Sequence, residues 1–313
     1  MRKLLLFLKE QTALVIIVVV FAIISVVNDK FLTYNNIYGL LIQLPSYGIA
    51  ALGLTFCLIC GELNITMGSI MAFSGVLFAM LVGTTGFIIA IAITLLCCAL
   101  FGAFTGVVVS FWKIDSFVAT LSMMILIKGV ALTICNSKPV IVMDQTTIML
   151  SNLTVGPIPA ITIIFLVIVF VLEYVLRFTV FGRNIYAVGG NADIASSIGI
   201  NVKFYKFIVF VIFAVLAGIG GLFLMTRMNA GSPIIGDDAP LATIPMAIMG
   251  GTALSGGRGG ALKTLTGVVL LSLLFNSMSI LGITLDIQTF IKGAILLSII
   301  VWNKYLANKA KKV

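Results

Sequence analysis

Long stretches without a charged residue constrain the fold of this chain more than any other feature. The longest covers residues 63–112, and another covers 31–61. An α-helix needs about 20 apolar residues to cross the hydrocarbon core of a bilayer, so each stretch holds one or two spans. The sequence therefore predicts an all-α polytopic integral membrane protein with a single transmembrane domain over residues 1–313.

The positions of the positive charges predict the orientation. Lysine and arginine cluster near both ends of the chain and in residues 177–206. Cytoplasmic loops carry such an excess, so we expect both termini and this internal segment in the cytoplasm. An even number of spans must then lie on each side of it, which gives about ten transmembrane helices, some broken or re-entrant. They are predicted at residues 12–27, 45–60, 67–83, 86–111, 117–135, 159–176, 204–226, 239–254, 264–282 and 286–303.

Residues 177–206, called the polar island below, form the one large internal stretch that must stay in water. Four cations border or enter it, against one carboxylate. Residues 192–197 are mostly small and suit a short helix lying close to a partner. Asp193 would favour the positive end of that helix, and Gly199 suits its C-terminal cap. We therefore expect a cytoplasmic partner to bind the polar island.

Two predicted external loops are long enough to form a surface. Residues 136–158 and 227–238 either bind an extracytoplasmic partner, with Asp237 and Asp238 as candidate contacts, or merely connect spans. The sequence leaves both interpretations open.

Helix breakers recur inside the predicted spans. Pro45, Pro245, Gly61 and Gly68 mark candidate breaks. Broken backbone at membrane depth is tolerated only inside protein or along a wet cavity, so these positions are expected in the protein interior.

Several classes of function are excluded or disfavoured. The chain has no histidine, which removes the usual general base and metal ligand, and no acid–base pair supports an enzyme. The glycine-rich residues 250–260 lack the Lys-[Ser/Thr] ending of a nucleotide-binding P-loop, so the chain is not expected to hydrolyse ATP. The net charge of +9 follows from orientation charges rather than from nucleic-acid binding. No cofactor or metal is expected.

Ionisable residues inside spans are candidates for function because they are costly in lipid. Lys128 lies centrally in one predicted span, and Glu62 adjoins the break at Gly61. For Lys128 two interpretations stay open: an internal ion pair or a contact with a backbone carbonyl that holds helices together, or contact with a transported solute.

Four ordered blocks of the chain resemble the permease subunit of ribose-type ABC importers, which take up monosaccharides and related small polar solutes. The resemblance covers residues from about 30 to 300. The blocks are ALGLT…GELNITMGS at 51–69, FVATL…KG at 117–129, FGRNIYAVGGN…GI at 181–200 and GGTALSGGRG at 250–259. Glu62, Asn64 and Lys128 depart from the family pattern, which usually has Gly, Asp and Arg there.

The resemblance implies a bacterial inner-membrane permease that works with a cytoplasmic ABC ATPase, an extracytoplasmic solute-binding protein and a second permease subunit, identical or related. It assigns ATPase coupling to Phe181, Gly182, Arg183, Gly189, Gly190, Asn191, Asp193, Ala195 and Gly199. It makes Glu62, Asn64, Gly68, Ser69 and Lys128 candidates for the translocation pathway. It places a cytoplasmic glycine-rich turn at Gly250, Gly251, Gly256, Gly257, Arg258 and Gly259. The alternative is a stand-alone secondary transporter or facilitator, which would need a coupling-ion site that the sparse membrane carboxylates do not favour.

Overall fold

The computed structural model describes residues 29–310, together with Phe21 and Ser25. This part of the chain is built almost entirely from helices, as the charge-free stretches predict. Its helices are α1 (Tyr34–Ile59), α2 (Met67–Thr85), α3 (Phe87–Ser110), α4 (Ser116–Ile134), α5 (Gln145–Asn152), α6 (Ala160–Phe178), α7 (Val180–Gly190), α8 (Ala192–Ser197), α9 (Val202–Met228), α10 (Ala239–Met249), α11 (Ala261–Ile280) and α12 (Leu285–Ala310).

Two small antiparallel sheets complete the described fold. Strand β1 (Val140–Ile141) pairs with β4 (Ala230–Gly231), and β2 (Thr154–Val155) pairs with β3 (Ile158–Pro159). The first sheet joins the two loops that were predicted as external. These loops therefore form one continuous surface rather than two separate connections.

Seven helices of the described region are long and apolar enough to cross a membrane: α1, α2, α3, α4, α6, α9 and α11. The all-α polytopic class is thus confirmed, although the number of such helices differs from the ten predicted spans. The predicted span at 12–27 lies outside the described residues, apart from Phe21 and Ser25. The span predicted at 239–254 shortens to α10, because the turn that contains Gly251, with φ of 100°, follows Met249. Helix α12 contains the span predicted at 286–303 but is not among the seven.

Helix α9 lies at the centre of the core and packs against α1, α2 and α3. Its glycines allow these close approaches, as expected for helices in lipid. A Cβ atom on Gly221 would overlap Met71 and Ser74 of α2, and one on Gly220 would crowd Ser46 of α1. These glycines therefore let the backbones of α1, α2 and α9 lie close together.

Helix α1 runs through Pro45 without a break, so the predicted break there is wrong. Proline lacks the N–H that would bond to the carbonyl four residues earlier. That carbonyl, on Leu41, instead accepts a hydrogen bond of 2.7 Å from the Thr162 hydroxyl of α6. Pro245 likewise lies inside α10.

The connection between α1 and α2 is the break predicted at Gly61, which has φ of 85°. The non-helical residues after it are mostly buried, and Asn64 is fully enclosed. The Oδ1 atom of Asn64 accepts hydrogen bonds from the Thr66 amide at 2.9 Å and hydroxyl at 2.8 Å. Gly68 is not a break. It lies in the first turn of α2, where a Cβ would overlap the carbonyl of Gly236.

The contact between α3 and α9 predicts a stability effect. A Cβ on Gly102 would lie 2.6 Å from the Ala214 side chain, so Gly102→Leu is expected to lower unfolding stability by about 1–3 kcal/mol. Thermal unfolding of the purified protein measures this. Gly129→Leu in α4 is the matched control, because a Cβ there meets nothing within 4 Å; equal losses in both variants would contradict the packing explanation.

Candidate functional site

The polar island folds into the two short helices α7 and α8. The Thr179 hydroxyl caps α7 by accepting a hydrogen bond of 3.1 Å from the Gly182 amide. Asn191 caps α8, and its Oδ1 atom accepts two hydrogen bonds of 3.0 Å from amides of the first turn. Such caps satisfy backbone donors that have no partner within the helix. The predicted short helix over 192–197 is present, with Asp193 in its first turn.

Gly199 ends α8, as the sequence predicts. Its φ of 86° lies in a region that favours glycine. The amide of Gly199 donates to the Ser196 carbonyl, and the Ile200 amide donates to the Ala195 carbonyl, each at 3.0 Å. These bonds satisfy carbonyls of the last helical turn.

Helix α8 presents two isoleucines outward. Ile194 is 62% exposed and Ile198 is 70% exposed, whereas Ala195 is only 2% exposed. Ile194 lies in α8 and Ile198 directly follows its last residue. Residues four apart lie on one face of a helical turn, so the two isoleucines form an exposed apolar surface at the end of α8. Ala195 instead packs against its own chain. Sequence reasoning missed the isoleucine pair, although its spacing of four residues was the available signal.

The remaining coupling residues predicted in α7 have different environments. The ring of Phe181 lies 5.7 Å from the ring of Tyr205 in α9. A Cβ on Gly182 would overlap backbone of the last turn of α6, so this glycine permits the sharp corner between the two helices. Arg183 and Gly190 are exposed.

Three separate segments meet through glycine backbones at what we call the glycine junction, formed by Gly61, Gly189, Gly256 and Gly257. The Gly257 amide donates a hydrogen bond of 2.9 Å to the carbonyl of Ile59, at the end of α1. A Cβ on Gly189 would overlap this same carbonyl, and one on Gly256 would lie 3.0 Å from the Cα of Gly61. The junction joins the polar island, the α1–α2 break and the glycine-rich turn.

Tyr186 fixes the glycine-rich turn to α7. Its hydroxyl donates a hydrogen bond of 3.0 Å to the carbonyl of Gly259. Burial raises the pKa of Tyr186, and the negative charge of Glu173 raises it further, so the phenol retains the proton that it donates.

The rest of the glycine-rich turn packs towards α11. A Cβ on Gly250 would overlap the backbone of Lys263, and a φ of 100° at Gly251 starts the turn. The carbonyl of Arg258 accepts a hydrogen bond of 3.0 Å from the Ala253 amide across the turn, and the Arg258 residue is exposed.

Glu62 faces the polar island rather than the other pathway candidates. Its carboxylate pairs with Lys206 of α9 at 2.5 Å. Both residues line a cavity of about 640 Å³ between α8, the end of α3 and the start of α4. The other charged side chains of this cavity are Lys113, Asp115, Asp193 and Lys203.

Three of the five predicted pathway residues lie together. Gly68, Ser69 and Lys128 line a cavity of about 430 Å³ with Asp237, and the Lys128 ammonium pairs with the Asp237 carboxylate. The ion-pair interpretation of Lys128 is therefore observed, and the same pair borders a cavity. Asn64 and Glu62 do not line this cavity.

Asp238 makes the neighbouring ion pair, with Lys292 of α12 at 2.6 Å. The Tyr47 hydroxyl also donates to its carboxylate, at 2.8 Å. The candidate contacts Asp237 and Asp238 thus bond to lysines of α4 and α12, not to the surface formed by β1 and β4. The described residues contain no group of three or more His, Cys, Asp or Glu side chains that could hold a metal ion.

Known proteins resemble the chain over most of its length. Residues 36–300 match the family model described as branched-chain amino acid transport system, permease component. The ribose import permease protein of Escherichia coli K12 is 34% identical over 303 residues, which cover 95% of this chain and 94% of the relative. The L-arabinose ABC transporter permease protein of Azospirillum brasilense is 32% identical over 301 residues, or 95% and 88% of the two chains. No solved structure matches the chain.

The resemblance noted from four sequence blocks is confirmed by these matches. The family model covers the α1–α2 break, the polar island and the glycine-rich turn, so the residues that meet at the glycine junction lie within the matched region. The chain belongs to the family of ABC-importer membrane permeases that this model describes.

Proposed function

We propose that the chain is the membrane-spanning permease subunit of an ATP-driven importer for a monosaccharide or a related small polar solute. The observation that carries this proposal is its similarity, over 95% of its length, to permeases named for ribose and arabinose. The ATP would be hydrolysed by a separate cytoplasmic subunit. Solute would be delivered by an extracytoplasmic binding protein and would be carried across the membrane by a pair of permease subunits.

The polar island supplies the surface for the ATPase. Ile194 and Ile198 of α8 form an exposed apolar face on the segment with the strongest predicted cytoplasmic location. Through Gly189, the same segment touches the end of α1 and the glycine-rich turn. A displacement of α8 by the ATPase would therefore reach the α1–α2 break directly. This orientation places both termini and the polar island in the cytoplasm of a bacterial cell, at the inner membrane.

The surface joined by β1 and β4 suits the binding protein. This surface follows the C-terminal ends of α4 and α9, which are opposite to the polar island. It exposes apolar side chains including Ile141, Met143 and Met149. Exposed apolar patches of this kind mark protein or membrane contacts.

The function is tested in proteoliposomes that contain the chain with or without its ATPase and binding protein. We expect uptake of labelled D-ribose or L-arabinose only when both partners and ATP are present. Uphill uptake by the chain alone would contradict the proposal and favour a secondary transporter, whereas uptake that merely equilibrates would favour a facilitator.

The coupling surface predicts a loss of assembly. Replacing Ile194 and Ile198 with Asp is expected to weaken co-purification with the ATPase by about 30-fold or more, because buried anchors at an interface each contribute about 2 kcal/mol or more. Ile141→Asp with Met143→Asp is the matched control, since it places the same two charges on exposed apolar side chains of the opposite surface. Undiminished ATPase capture by the double variant would remove α8 from the interface.

The Lys128–Asp237 pair separates stability from transport. Lys128→Met leaves the Asp237 carboxylate without its partner and should lower the uptake rate. Because the Asp237 side chain is 57% exposed, the unfolding temperature should fall only slightly, and adding Asp237→Leu should remove that small loss. If the pair contacts solute, uptake stays at least about tenfold below the unsubstituted rate in the stable double variant. Full recovery of uptake would restrict the pair to a structural role.

A further inference from the structure

A third cavity, of about 690 Å³, adjoins Asp238 and is called the Tyr47 chamber below. Its volume lies within the range of about 300–1,000 Å³ that is usual for small-molecule sites. Residues of α1, α9, α10, α11 and α12 line it. Its lining is partly apolar but includes the polar side chains Gln43, Tyr47, Asp238, Ser272, Gln288 and Lys292.

A hydrogen-bonded network forms one wall of the chamber. Asp238 accepts from the Tyr47 hydroxyl at 2.8 Å with one carboxylate oxygen and from the Lys292 ammonium at 2.6 Å with the other. The Lys292 ammonium also lies 5.0 Å from the centre of the Phe275 ring, in cation–π contact. The three polar groups are therefore held in place before any solute arrives.

The network still has hydrogen-bonding capacity. A carboxylate offers about four acceptor sites, and Asp238 uses two of them in the contacts described above. An ammonium group offers three donors, and Lys292 uses one of them. A solute hydroxyl group can both donate and accept, so it can bind the carboxylate and the ammonium group at once. This arrangement fits a solute with several neighbouring hydroxyl groups.

The charges at the network favour a neutral solute. The carboxylate of Asp238 and the ammonium of Lys292 cancel, and a neutral polyol can bind both without separating them. An anionic solute would compete with Asp238 for Lys292. Arg227 also lines the chamber, but it is exposed at the last turn of α9, where solvent screens its charge.

We infer that the Tyr47 chamber holds one neutral polyhydroxylated solute of monosaccharide size during transport, and that Tyr47, Asp238 and Lys292 contact its hydroxyl groups. The inference rests on the proposed function and names solute-contacting residues for it. An ionisable group inside a membrane domain is a functional candidate by default, and here one such pair and its tyrosine partner face a cavity of suitable size.

The ratio of solute transported to ATP hydrolysed tests the chamber in proteoliposomes with both partner proteins. Tyr47→Phe removes one hydroxyl group and leaves the ion pair intact. The double variant Asp238→Asn with Lys292→Gln removes both charges together. We expect each to lower D-ribose or L-arabinose uptake per ATP by about 5- to 30-fold, the effect of losing one or two hydrogen bonds, while stimulated ATP hydrolysis continues.

Tyr34→Phe is the matched control, because Tyr34 lies on the same helix but is 61% exposed and outside the chamber. The ratio of solute transported to ATP hydrolysed should not change in this variant. An unchanged ratio in both chamber variants would overturn the inference. A parallel fall in uptake and ATP hydrolysis would also overturn it, since a purely structural network would impair both.

Cysteine protection tests the chamber without ATP or partners. Ser279 lines the chamber and is exposed, so the thiol of Ser279→Cys should react with a maleimide more slowly when D-ribose or L-arabinose is present in excess. Thr146→Cys on the exposed face of α5 should react equally with and without sugar, and the unsubstituted chain corrects for the native cysteines. Absence of protection, or stronger protection by the D-ribonate anion, would overturn the inference. Loss of ATP-dependent uptake by the unsubstituted complex would instead contradict the proposed function.

Discussion

The hydrogen bond from the Gly257 amide to the Ile59 carbonyl holds the glycine junction together, and the proposed coupling to the ATPase would act through this contact. It ties the glycine-rich turn to the end of α1 at the point where Gly189 of the polar island closes over the same carbonyl. No side chain separates the three backbones. Close-packed interiors transmit displacement rather than absorb it, so α7 cannot shift without moving the α1–α2 break or opening the junction. Glycine is required at Gly189 and Gly256, because a methyl group at either position would overlap a backbone carbonyl oxygen.

Ion pairs between charged side chains of the bundle form a second set of contacts that hold the helices together. Each of the three ion pairs in the described region joins segments that are far apart in sequence: Glu62 with Lys206, Lys128 with Asp237, and Asp238 with Lys292. An isolated charge at membrane depth costs about 2.5–3.5 kcal/mol on insertion scales, and pairing offsets this cost. The adjacent residues Asp237 and Asp238 hold the start of α10 between α4 and α12. The same groups border two cavities, so the residues that position α10 also supply the polar lining that a hydrophilic solute needs.

The sequence predicts the positions of the helices much better than the side-chain contacts between them. Charge-free stretches locate most helices to within a few residues, as the predicted span at 67–83 and the observed helix Met67–Thr85 illustrate. Composition also predicts α8, because its cap and terminating glycine act locally. The partners of Lys128 and Lys292 could not be predicted, since each lies more than 50 residues away and depends on how α10 enters the bundle. The continuous helix at Pro45 could not be predicted for the same reason. The Thr162 hydroxyl that satisfies the free carbonyl of Leu41 comes from α6.

The ion pair of Glu62 clarifies what holds the glycine junction together. The Glu62–Lys206 pair lies beside the junction in sequence, since Glu62 follows Gly61 directly, and it joins the α1–α2 break to the second turn of α9. Lys206 is partly exposed, and solvent screening limits the contribution of such a pair. The backbone contacts of Gly189, Gly256 and Gly257 do not depend on it. The junction is therefore held mainly by glycine packing and the Gly257–Ile59 hydrogen bond. In this chain Glu62 adds a charge-dependent tie between the α1–α2 break and the polar island, on the side of the bundle where ATPase movement would arrive.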